Sequence, residues 1–399
     1  MKRVYAIIVC FILVALLWAR GASSIPIILF AVVWLLRGEW REKWAEIKKQ
    51  FLLFIPFTIY FLVHILGMFY TPNLSSAEAD VSKKLNLLFL PILLFSIGPK
   101  LVPYRKQIFQ VFIATIIVFF LTSIYYAIPN YRGGNQLAFF YVHLVSFSNM
   151  HPSYLAMYAL LGIALSYDLA VQHSKKYLIL ILPLFVFIIL LVARTELIIL
   201  FTLLIFIWLY HFVKRKKYVI GIGGVAFIII VSLLSVWKIP ELNARFFDVL
   251  TDKKQVKNTW SIKNERESIW GVAWNRIQQK PFLGVGTGAG AAILKHDFEK
   301  DGYTLLAKKS SLNNVHNQFI QQWFVLGILG LLSCFYLYGN LFWQSYRSKN
   351  FMLFILSMIL TMASFTECIL ESQSGIVFFI VFYTMFLVKE KEESLQNLN

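Results

Sequence analysis

Residues 177–210 read YLILILPLFVFIILLVARTELIILFTLLIFIWLY, with Arg194 and Glu196 as the only charged side chains. A helix rises about 1.5 Å per residue and a bilayer core is about 30 Å thick, so roughly 20 apolar residues make one crossing. The run is too long for one crossing. It fits two spans joined by a hairpin of a few residues at the charged pair. The whole chain agrees: hydrophobic residues make up 59% and charged residues 15% of 399, and the mean hydropathy is +0.68. A soluble globule carries roughly a quarter charged residues. The fold class is therefore an all-α integral membrane protein.

Outward from that hairpin, the same pattern predicts twelve transmembrane helices. They cover 4–19, 23–36, 51–70, 85–98, 108–128, 152–171, 177–193, 196–213, 218–237, 317–345, 351–369 and 372–388. The domain organisation is thus 1–237 with nine spans, 238–316 as one large extracytoplasmic loop, 317–388 with three spans, and a tail over 389–399. Met1-Lys2-Arg3 ahead of an apolar run could open a signal peptide, but the spans that follow make it an uncleaved first helix.

The net charge of +18 raises the question of nucleic acid, and its distribution argues against it. Lys and Arg sit in short clusters between apolar runs, where they orient helices in a bilayer. One alternate set of connections holds twenty of them, and the short connections of the other set hold five. The remaining thirteen lie in the long 238–316 segment, which the rule does not govern. Both termini are expected to be cytoplasmic and the loop external. Cys10, Cys334 and Cys368 fall in apolar segments without metal-ligand spacing, so they read as small buried hydrophobes.

The loop is the one segment with soluble character. Ile269, Trp270, Ala273, Trp274 and Ile277 recur at helical spacing and predict an amphipathic helix over 265–279 that packs on the bundle or the bilayer. Lys280-Pro281 ends it, and Gly284, Gly286, Gly288 and Gly290 follow in alternation.

Polar groups gather at the outer ends of the spans: Arg194 and Glu196, Glu367 and Glu371, His316 with Asn317, and His151 before Pro152. Ionisable groups near hydrocarbon are costly and usually face a cavity or a partner. Each also has a plain structural reading. The first pair can mark a turn, the two glutamates can be solvated hairpin ends, and His151 can be a helix start. His316 can act as a general base because imidazole titrates near neutrality, although a lone histidine at a helix start is more often structural. Arg266 can grip a phosphate with its fork of donors, although a lone arginine on a loop helix is more often solvated. Gly284-Val285-Gly286-Thr287-Gly288 lacks the Lys-Ser/Thr pair and the preceding strand of the nucleotide fingerprints, so it reads as a turn. No HExxH, nucleophile elbow, kinase set or Asp-rich cluster is present, and no metal or other cofactor is expected.

Taken in order, three strings carry a resemblance: Arg266-Glu267-Ser268-Ile269-Trp270, Lys280-Pro281-Phe282-Leu283-Gly284-Val285-Gly286, and His316-Asn317-Gln318-Phe319. In the largest outer loop of a multi-span protein, this resembles the O-antigen ligase and O-antigen polymerase superfamily, strongly over roughly 265–330 and by topology elsewhere. The resemblance implies a membrane glycosyltransferase of the C type, in the bacterial inner membrane with its active site on the periplasmic face. It implies transfer of a glycan from an undecaprenyl-pyrophosphate carrier to lipid A–core or another glycan acceptor, in lipopolysaccharide biosynthesis. It makes His316 the catalytic residue, assigns Arg266, Arg194, Asn317 and Trp270 to pyrophosphate and substrate binding, and gives Glu367, Gly284 and Gly286 supporting places. At Arg194 the sequence departs from the family's Ser-Arg pair, because Ala193 precedes it and Glu196 follows.

A single large outer loop favours a ligase, while the modest second loop over 129–151 keeps a polymerase open. From other classes, a lipid-linked oligosaccharide transporter would place its polar groups near the midplane, and a non-catalytic envelope scaffold would tolerate substitution of His316.

Overall fold

The computed structural model describes residues 2–18, 23–148, 150–214, 262–301 and 313–389. Among these residues the structure is helical, without strands. The helices are α1 Lys2–Trp18, α2 Ser24–Leu36, α3 Trp40–Lys49, α4 Phe51–Met68, α5 Leu74–Ser96 and α6 Arg105–Arg132. They continue with α7 Pro152–Gln172, α8 Ile181–Leu191, α9 Arg194–Lys214, α10 Ile262–Gln279 and α11 Gly290–Lys300. The last three are α12 Gln318–Ser348, α13 Phe351–Ser364 and α14 Gln373–Leu387.

Among the described residues, four helical stretches are long and apolar enough to cross a membrane: α4, residues 98–132 ending in α6, α7 and α12. Four shorter apolar helices accompany them: α1, α2, α13 and α14. The expected ninth span, 218–237, lies outside the described residues. The hairpin at Arg194 is tight, since only Val192 and Ala193 separate α8 from α9. Val192 turns the chain there with a left-handed φ of 47°.

Side-chain caps set several helix starts. Asn73 accepts from the Ser76 N–H at 3.0 Å, Asn350 from Leu353 at 3.0 Å and Ser372 from Gly375 at 3.1 Å. Each satisfies a backbone donor that has no partner within its helix.

Before the loop, α3 and α5 depart from the sequence reading. The stretch counted only as an orienting cluster of charge, WREKWAEIKK, forms α3. Its Lys43 is buried and reaches the Trp34 carbonyl at the end of α2. The ammonium lies 4.7 Å and 4.9 Å from the Trp34 and Trp40 ring centroids, so cation–π attraction compensates part of its desolvation. The fourth expected span is the second half of α5, which begins eleven residues earlier, at Leu74.

The chain divides into two compact units, residues 1–115 with 265–399, and residues 116–264. In the first, α14 is the central element and is buried from Ser374 to Phe386. Phe57 packs at 5.2 Å on both Phe379 and Tyr383, and Phe112 at 4.7 Å on Phe382. Such aromatic contacts contribute about 0.5–1.5 kcal/mol each beyond burial. In the second unit, α7 packs on α8, and the Phe120 ring lies tilted against Phe187 at 5.0 Å.

A break in α12 ties the loop to the bundle. Gly327 has φ 63° and ψ −156°, a region essentially reserved for glycine. The break frees the Phe324 and Val325 carbonyls from their intrahelical partners. The loop supplies replacements: Val285 N–H donates to Phe324 at 3.1 Å and Gly286 N–H to Val325 at 2.9 Å. In return, Ile328 N–H donates to the Pro281 carbonyl at 2.9 Å.

Candidate functional site

The loop helix α10 buries the face that the sequence predicts. Ile269, Ala273 and Ile277 join Val285, Phe298, Val315 and Phe324 in one apolar cluster, so the helix packs on the start of α12. Trp274 stays half exposed and meets Trp323 edge to face at 5.5 Å. A second loop helix that the sequence reading did not anticipate, α11, is pinned by Arg276. Its Nε lies 2.9 Å from Asp297 Oδ2, and its Nη2 bonds the other oxygen. Docking α10 in this way sets the position of Arg266, at its N-terminal end.

His316 is held by its backbone. Its φ of 52° is left-handed, a conformation that costs a non-glycine residue about 1–2 kcal/mol and persists only where the surroundings impose it. Trp270 Nε1 donates to the Val315 carbonyl at 2.9 Å, and Val315 N–H donates to Gln321 at 3.0 Å. His316 N–H donates to Asn314 at 2.9 Å. Asn317 caps α12 by accepting from Phe319 and Ile320, both at 3.0 Å, while its amide donates to the Phe365 carbonyl at 3.0 Å.

That last bond reaches the hairpin carrying Glu367. Glu367 is 8% exposed, not a solvated hairpin end. Its Oε1 lies 3.4 Å from Arg266 Nη2 and its Oε2 3.5 Å from His316 Nδ1. One carboxylate thus spans a cation and an imidazole that lie 50 residues apart in sequence. The contacts, at 3.4 and 3.5 Å, are at the long end for hydrogen bonds. With Nδ1–H turned to the carboxylate, Nε2 is left as the acceptor, which is the tautomer a general base requires. The Arg266 side chain is 42% exposed, so it has N–H groups left over for an anion.

The structure therefore brings Arg266, Trp270, His316, Asn317 and Glu367 together within the first unit. Arg194 opens α9, in the second unit. His151 starts α7 and accepts from Ser153 N–H at 3.4 Å. Gly284 and Gly286 are left-handed turn residues at close approaches. A Cβ on Gly284 would lie 2.5 Å from the Val325 carbonyl oxygen, and one on Gly286 2.7 Å from Thr71 Cα. Their N–H groups donate to the Lys280 and Val325 carbonyls, so they clamp the loop and leave no amide for a phosphate.

Residues 178–335 match the O-antigen ligase family. The matched stretch includes Arg194, Arg266, Trp270, the glycine turn and His316-Asn317, and it stops short of Glu367. No curated protein matches the chain at a significant level. Among the described residues, no three His, Cys, Asp or Glu side chains gather as a metal-ligand set.

Sequence reasoning missed a polar network beside this cluster. Lys84, fully buried, lies 2.7 Å from Asp80 and 2.8 Å from Glu371. Gln322 donates to the other Glu371 oxygen at 2.8 Å, and Gln318 accepts from Leu370 N–H at 2.8 Å. With the Asn317–Phe365 bond, these contacts fix the 365–372 hairpin at both ends and hold Glu367 between them. The i,i+4 spacing of Asp80 and Lys84 was readable; Glu371, 287 residues away, was not.

Proposed function

We propose that this chain is a bacterial inner-membrane glycosyltransferase of the O-antigen ligase type. It moves a glycan from an undecaprenyl-pyrophosphate carrier to an acceptor hydroxyl, most simply on lipid A–core. The observation that carries the reading is Glu367 spanning Arg266 and His316. Pyrophosphate is an adequate leaving group once its developing charge is neutralised, and the Arg266 guanidinium beside Glu367 supplies the positive charge for that. The acceptor hydroxyl is a weak nucleophile, and His316 Nε2 takes its proton as the oxygen attacks the anomeric carbon. The bond from that carbon to the pyrophosphate oxygen breaks, and the leaving group takes the electron pair. A single displacement inverts the anomeric centre and needs no metal.

The topology that goes with this reading has about twelve spans, both termini in the cytoplasm, and the loop with His316 on the periplasmic side. Polymerisation of carrier-linked chains is the second reading, because the same donor chemistry serves it and 129–151 supplies a second outer loop. The test is reconstitution with carrier-linked glycan and lipid A–core under chelator. Product on lipid A–core supports a ligase, and longer carrier-linked chains support a polymerase. An intact donor with no product on either acceptor sinks the proposal.

A further inference from the structure

A cavity of about 410 Å³ lies at the opposite end of α12 from His316. It is lined by Glu46 and Lys49 on α3, Leu52 and Leu53 opening α4, Arg347 closing α12, and Lys389 beyond α14. Three cations thus face one carboxylate, and Glu46 already accepts a bond from Gln50 Nε2 at 3.2 Å. Among the described residues, none of the three cations has a carboxylate within ion-pair distance. Three other basic residues of this unit are occupied by contrast. Lys100 meets Glu39 at 2.5 Å and Glu42 at 3.5 Å, Arg105 bonds the Val388 carbonyl, and Lys43 is buried. Within the cavity lining, positive charge is in surplus.

Its surroundings mark a depth. Trp40 and Trp44 on α3, and Trp343 and Tyr346 in the last turns of α12, are all exposed. Tryptophan and tyrosine concentrate at the headgroup level of a bilayer. Phe51 and Leu52, exposed where α4 leaves the cavity, offer an apolar path that a small soluble anion would not need. Basic pockets between membrane helices are suited to lipid phosphates.

We propose that this cavity binds the headgroup of an anionic phospholipid. The phosphate sits against Lys49, Arg347 and Lys389, and the acyl chains run along Phe51 and Leu52. The site is separate from the glycosyl-transfer centre, and the inference stands whether or not that reading does.

The test uses the purified full chain in phosphatidylcholine nanodiscs with and without phosphatidylglycerol. Retained lipid is read by native mass spectrometry and stability by thermal melting. The wild type is expected to retain phosphatidylglycerol in preference and to melt higher in its presence. The triple variant Lys49→Gln, Arg347→Gln, Lys389→Gln loses both effects. Affinity drops about fivefold for each cation removed, from the usual contribution of a basic residue near an anionic surface. Should the triple variant fail to fold, Arg347→Gln alone shows the fivefold loss and Arg347→Lys stays near wild type. Equal retention by wild type and variant, no preference for phosphatidylglycerol, or equal protection by inorganic phosphate each overturns the proposal.

Discussion

Replacing Glu367 with Gln separates its chemical role from its structural one. The side chain keeps its shape and burial, but one oxygen becomes an NH₂. Arg266 is donor-only, so the remaining oxygen must stay on the Arg266 side, where the separation is 3.4 Å. The NH₂ then faces His316 Nδ1, 3.5 Å from the carboxylate in the wild type. Nδ1 is forced to accept, the ring proton moves to Nε2, and the atom that should take the acceptor's proton is blocked. General-base catalysis contributes about 10²–10⁴-fold, so the transfer rate should fall at least ~100-fold, or ~2.7 kcal/mol in barrier. Stability should hardly change, because an ion pair to a half-exposed arginine is worth less than about 1 kcal/mol. The assay is single-turnover glycan transfer in proteoliposomes, with thermal melting of the same preparations. A wild-type rate in Glu367→Gln refutes the tautomer argument. A rate lost together with the fold would show that Glu367 is structural only.

The remaining predictions concern what holds this site in place. Gly327→Ala puts a Cβ 2.1 Å from the Phe282 carbonyl oxygen at φ 63°. Strain of about 1–3 kcal/mol and the loss of one or two loop–helix hydrogen bonds at about 1 kcal/mol each should lower the melting temperature sharply; an unchanged melt contradicts the clamp. Lys84→Met leaves Asp80 and Glu371 buried without their cation, a cost of about 3–5 kcal/mol, measurable as reduced thermal stability in detergent. Asn317→Ala removes the α12 cap and the tie to Phe365, costing about 1 kcal/mol. Its transfer rate should fall further than its stability, as read by the same paired measurements.

Much of this centre is legible in the sequence because its signals are local. Arg266, Trp270 and His316-Asn317 stand in a fixed order in the one polar loop, and the apolar spacing of Ile269, Ala273 and Ile277 orients their helix. What stays hidden depends on distant partners. Glu367 and Glu371 look alike at a hairpin, yet one meets Arg266 and His316 and the other meets Lys84. Lys84 follows Lys83 and counts as loop charge until α5 is seen to begin at Leu74. The glycine turn is readable as a turn, but its purpose depends on carbonyls freed by Gly327 more than 40 residues later. In α3, basic residues on an amphipathic helix give the same count as a disordered charge cluster, so periodicity was the missed signal.

The most direct test of the account compares donor binding and transfer in His316→Ala, reconstituted with carrier-linked glycan and lipid A–core under chelator. With Arg266 and Glu367 intact, the variant should still bind the carrier-linked donor while transfer falls to background. Transfer at the wild-type rate in His316→Ala would contradict the central claim.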